Sequence, residues 1–122
     1  TFGHAFESLD RYRTLLHGEA VAIGMNAEAE IARRIGLCGD EVVSRQREVL
    51  ARAGLPISLP DVRVGGLWSA MQHDKKVSRG RVYCVLPERI GRVRIAPLEQ
   101  QTLKEWFRPE RPRAVPRRRP AL

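Results

Sequence analysis

The chain has 122 residues, 43% of them hydrophobic, with a formal net charge of +8. That suffices for one domain with a real core; no run reaches the ~18 apolar residues of a membrane span, and no signal peptide opens the chain. The charge is localised: residues 108–122 hold six arginines against one glutamate, so the tail carries +5 and the body +3, a balance that gives no reason to expect a specific nucleic-acid surface.

Residues 1–9 read as a helix, with Phe2, Phe6 and Leu9 on one side. Asp10 to Thr14 is polar and reads as a short loop. From Leu16 to Ile35 the apolar residues recur with helical period, and Gly36 stops the run. In its second half Glu28, Glu30, Arg33 and Arg34 are expected to face water, with Glu30 and Arg34 as an i,i+4 pair. Asp40 reads as the N-cap of a third helix that ends at Ala53 before Gly54, with a stripe of Val42, Val43, Val49, Leu50 and Ala53. Pro56 and Pro60 keep the next stretch extended. A fourth helix runs from about Asp61 through Leu67, Trp68 and Met71; Gly65 and Gly66 weaken its start. Residues 81–86 and 92–95 are β-rich, the second with strict alternation, and Pro87 to Gly91 joins them as a hairpin. Glu99 to Phe107 reads as a last helix. Beyond it, Pro109, Pro112, Pro116 and Pro120 among the arginines predict disorder. The expected architecture is mainly α with one late β-hairpin, a domain over 1–107 and a disordered basic tail over 108–122. Cys38 and Cys84 are isolated and read as small, buried or half-buried side chains in a reducing compartment.

Few residues carry chemistry. His17 opens the apolar helix, where a histidine serves as a metal ligand or simply packs at a helix end. Gly18 and Gly24 each cost about 1 kcal/mol of helix stability against alanine, which points to a close approach by a ligand or a helix; for Gly24 helix packing is the simpler reading. Glu19 either orients a histidine or complements the helix macrodipole. His4, by itself, reads as a core histidine, and His73 as exposed. Lys75 and Lys76, after Asp74, read as a solvated pair at a helix end or as a grip on an anion. Neither a nucleotide cradle nor a Ser-His-Asp arrangement is present.

Taken together, Thr-Phe-Gly-His-Ala-Phe-Glu (1–7), Leu-Leu-His-Gly-Glu-Ala-Val-Ala-Ile-Gly-Met (15–25), Ala-Gly-Leu-Pro (53–56), Asp-Lys-Lys (74–76) and Val-Leu-Pro…Ile-Gly (85–91) resemble the C-terminal domain of 3-dehydroquinate synthase, in order and spacing, over roughly residues 1 to 107. The resemblance implies the helical C-terminal domain of an α/β enzyme. That enzyme converts the phosphorylated keto acid DAHP into 3-dehydroquinate and phosphate in the shikimate pathway, with a bound NAD and a divalent metal, usually zinc. It implies His17 as a metal ligand, His4 as a histidine beside the reacting groups, and Lys75 or Lys76 as a contact to a substrate anion. It also implies a cytoplasmic homodimer when full length. The family motif places a further ligand histidine just before the threonine that is residue 1 here. The third ligand, a glutamate, and the NAD domain also lie upstream in the family. The chain opens on Thr1 rather than a methionine and so reads as a fragment, expected to be inactive alone. Another NAD- and metal-dependent sugar-phosphate cyclase is the near alternative. A non-catalytic basic binding module, supported only by the arginine tail, is the distant one.

Overall fold

The computed structural model describes residues 2–10, 15–58, 64–72 and 81–106. In chain order these form α1 (Phe2–Leu9), α2 (His17–Arg34), α3 (Asp40–Arg52), α4 (Val64–Gln72), β1 (Val82–Arg89), β2 (Arg92–Leu98) and α5 (Gln100–Trp106). The mainly helical reading with one late hairpin therefore holds. Asp74, Lys75, Lys76 and the tail over 108–122 lie outside the described residues.

The central element is α2, which packs against α1, α3 and β1. Ala27, Ala29, Ile31 and Ala32 are buried along it, and its small side chains let neighbours approach on several sides. The approach is closest at α1. A Cβ added to Gly24 would stand 2.9 Å from the Gly3 nitrogen and 3.3 Å from the Phe2 Cβ. One added to Gly3 would stand 3.4 Å from the Ala20 carbonyl oxygen. Gly24 is thus a packing glycine, whereas among the described residues nothing stands within 4 Å of a Cβ added to Gly18. Phe2 and Phe6 fill the α1 side of the core, and Leu67 and Met71 of α4 are fully buried in the same cluster. The two helices run antiparallel, since Gly3 meets Ala20 and Gly24 while Glu7 meets His17. Their connection is tied across its ends by the Leu15 N–H, which donates to Asp10 Oδ2 at 2.8 Å.

Several local expectations are corrected. Glu28 does not face water: it is half-buried, and its carboxylate accepts the Val85 N–H at 2.5 Å, occupying a backbone donor on the edge of β1 away from β2. Glu30 pairs with Arg33 at 2.8 Å, one residue earlier than the expected Arg34, because Arg34 reaches toward the Glu105 carbonyl oxygen. Gly39 is the N-cap of α3, and Asp40 is its first helical residue, where a negative charge suits the macrodipole. Val49 and Ala53 lie on the exposed side of α3; Val42, Val43 and Leu50 form the buried stripe. The helix ends where Gly54 takes φ +75°, a conformation that needs no Cβ.

The hairpin is longer than expected. Strand β1 continues through Pro87 to Arg89, leaving Ile90 and Gly91 as the turn, and Glu88 reaches Arg94 at 2.7 Å and Arg92 at 3.3 Å. The antiparallel register pairs Cys84 with Ala96 and Val85 with Ile95. Val82, Cys84, Leu86 and Leu98 are buried, while Val93 is 60% and Ile95 71% exposed. The alternation in 92–95 is therefore one of residue type and not of burial. Both cysteines are free and buried, and desolvation raises both thiols, Cys84 to about 12, so neither is a ready nucleophile.

Glu28 gives the fold a pH signature. Burial raises its carboxyl from 4.5 to about 6, against the opposing effect of the Val85 hydrogen bond. An acid whose folded pKa is raised favours folding fully below its unfolded value and loses that contribution as pH rises through the folded value. The separation corresponds to about 2 kcal/mol, lost between about pH 4.5 and pH 6.5. Glu28→Gln keeps the acceptor for Val85 and removes the charge. Denaturant titrations across that range should show the parent falling relative to the variant; parallel curves would refute the assignment.

Candidate functional site

The site is built where α1 passes the start of α2. On α1, His4 and Glu7 are three residues apart and so share a face. Glu7 is buried, unusual for a carboxylate, while His4 stays exposed. On α2, His17 is the first helical residue. The Gly24–Gly3 crossing holds the two helices close enough for these side chains to meet. Glu7 Oε1 lies 2.9 Å from His17 Nδ1, and the His4 and His17 rings are 6.1 Å apart between centroids, tilted by 53°.

His17 bears 69% of its side-chain surface to solvent, against 9% for Glu7. One ring nitrogen is held from the protein side and the ring itself opens outward. That is the arrangement of a histidine with its second nitrogen available to a ligand, and the neutral imidazole is a good donor to zinc or a similar ion. Among the described residues no three His, Cys, Asp or Glu side chains form a complete metal set.

Sequence reasoning brought His4 and His17 forward, and the fold places them together. It left Glu19 open, and Glu19 is not the carboxylate on the histidine. Its Oε1 accepts the Leu16 N–H at 2.9 Å, half of a capping box at the helix start. Glu7 holds that position instead. Its signal was legible, a carboxylate three residues after His4, but nothing local says which helix that face meets. The expected anion contacts Lys75 and Lys76 lie outside the described residues.

Residues 1–77 match the family described as 3-dehydroquinate synthase C-terminal. The 3-dehydroquinate synthase of a Synechocystis species is 46% identical over 97 residues, which cover 79% of this chain and 27% of that protein. That of Acinetobacter baumannii is 45% identical over 91 residues, covering 75% and 25%. The chain thus spans about a quarter of the curated relatives it matches. Among solved structures, a 2-deoxy-scyllo-inosose synthase complexed with carbaglucose-6-phosphate, NAD+ and Co2+ superposes with a TM-score of 0.70 at 26% identity, covering 85% of this chain and 31% of its own. A 2-epi-5-epi-valiolone synthase from Streptomyces hygroscopicus with NAD+ and Zn2+ bound gives 0.72 at 28% identity, covering 86% and 30%. With a family match over more than half its length, this chain belongs to the 3-dehydroquinate synthase C-terminal family.

Proposed function

We propose that this chain is the metal-holding C-terminal part of a 3-dehydroquinate synthase, which closes DAHP to 3-dehydroquinate with release of phosphate. The observation that carries this reading is the convergence of His4 and His17 at 6.1 Å, with His17 held from behind by Glu7. His17 contributes one ligand to a divalent metal, zinc by preference, through the ring nitrogen that Glu7 leaves free. The metal, when bound, supplies Lewis-acid polarisation of a substrate oxygen, and NAD supplies a reversible hydride acceptor. His4 stands beside the metal position, exposed, where it can hydrogen-bond the substrate and hold or pass a proton. Lys75 and Lys76 supply positive charge for a phosphate or carboxylate, and one of them makes the main contact. The remaining ligands and the NAD site belong to sequence beyond this chain. The whole enzyme is a cytoplasmic homodimer on this reading, and no described helix is long and apolar enough to cross a membrane.

The solved cyclitol-forming relatives support a second reading, a sugar-phosphate cyclase acting on a substrate without a carboxylate. The curated relatives, 42–47% identical, favour dehydroquinate formation. Phosphate release by the full-length protein, loaded with NAD and zinc, decides between them. DAHP should be turned over and glucose 6-phosphate should not; the reverse result would select the second reading. Residues 1–122 alone should release no phosphate above background, and turnover by them would refute the assignment of the other ligands and the NAD site to other sequence.

A further inference from the structure

We propose that Glu7 is a positioning residue: it accepts the Nδ1–H of His17, fixes that tautomer, and so presents the Nε2 lone pair outward to the metal. The inference rests on the reading of His17 as a ligand and adds a residue to it.

The first support is geometric. Glu7 Oε1 and His17 Nδ1 are 2.9 Å apart, within ordinary hydrogen-bond range, and a carboxylate can only accept there. Nδ1 therefore carries the proton in the neutral ring, and Nε2 carries the lone pair. Because the ring is 69% exposed, that lone pair has access to solvent and to an ion.

The second support is the cost of the arrangement. Among the described residues, Glu7 and Asn26 are the buried polar side chains outside the apolar core. A buried carboxylate is unfavourable without compensation, and an apolar side chain of similar volume would serve packing as well or better. Glu7 is buried on α1 as Ala5 and Phe6 are, yet its partner is an exposed histidine on another helix. A residue serving the core alone would have no such partner. Serving the histidine, it confers what metal-binding imidazoles generally need, a defined tautomer, a fixed ring plane and a more basic ligating nitrogen.

The third support is the scaffold. Gly24 against Gly3 sets the separation of α1 and α2 at backbone contact, and Leu15 to Asp10 ties the loop ends. Glu7 thus reaches His17 from a rigid helix and not from a loop, as precise orientation of a ligand requires.

The test uses the full-length protein and three variants, Glu7→Gln, Glu7→Ala and His17→Ala. Zinc affinity is measured by competition with a chromophoric chelator. The His17 tautomer is read in the zinc-free protein by 15N NMR of selectively labelled histidine, assigned by its loss in His17→Ala. The parent should show Nδ1–H. Glu7→Ala should release a mixture of tautomers and weaken zinc about 10–100-fold, the usual range for loss of an outer partner. Glu7→Gln keeps an acceptor oxygen and the volume, so it should retain the tautomer and recover most of the affinity; the tautomer is the readout that a merely structural carboxylate would not move. An Nε2–H ring in the parent would overturn the inference. So would parent-like zinc affinity and tautomer in Glu7→Ala while His17→Ala loses zinc; in that case the ligand reading survives and the positioning role does not. Zinc retained by His17→Ala would instead remove the ligand reading itself, and the inference with it.

Discussion

In the full-length protein, His17→Ala should lose bound zinc and nearly all turnover. A catalytic zinc site keeps about three protein ligands, and two leave it weak. The fall in affinity should exceed the ~100-fold that marks the upper range for an outer partner. Turnover should fall with it, because polarisation of the substrate oxygen goes with the metal. His4→Ala provides the contrast. It stands beside His17 but is read as a substrate-facing group, so zinc content should stay near the parent's while turnover drops by about 10²–10⁴, the usual contribution of a positioned acid or base. Elemental analysis beside steady-state kinetics separates the two. Full zinc and normal turnover in His17→Ala would end the ligand assignment, and zinc loss in His4→Ala would make His4 a ligand.

Gly24→Val should be the most damaging single change to the scaffold. Its Cβ alone would stand 2.9 Å from the Gly3 nitrogen, a backbone atom that cannot swing aside. The helices must separate, and overpacking of this kind costs about 1–3 kcal/mol before the two further methyl groups find room. We expect about 3 kcal/mol for valine. For alanine the expected loss is about 1–2 kcal/mol, because its better helix propensity returns up to about 1 kcal/mol. The site should suffer as well as the fold. Moving α1 away from α2 stretches the 2.9 Å contact between Glu7 and His17, so the variants should bind zinc more weakly in the order Gly, Ala, Val. Denaturation and chelator competition on the same samples check both. Parent-like stability in Gly24→Val would mean that α1 does not lie against α2 at this crossing.

Local sequence sets the order of elements, because helical period, turn glycines and β-branched runs are local properties. Gly36 and Gly54 sit at positive φ close to the helix ends expected from them, and Gly91 turns the hairpin. It also determined which residues to watch: the motifs around His4 and His17 are short and specific. Pairings between elements were not legible, because each depends on where a second segment arrives. Glu28 looks like a water-facing residue on its own helix, and only the edge of β1 turns it into a half-buried acceptor with a raised pKa. Val93 and Ile95 look like an inward face, yet it is the Cys84 side of the sheet that the core covers. Glu19 is the nearer carboxylate to His17 in sequence, but helix geometry turns it back to the Leu16 N–H. Glu7, ten residues away, reaches the imidazole because two glycines let two helices touch. Local periodicity says which side of a helix is apolar; only packing at backbone distance decides which polar group the neighbouring helix meets.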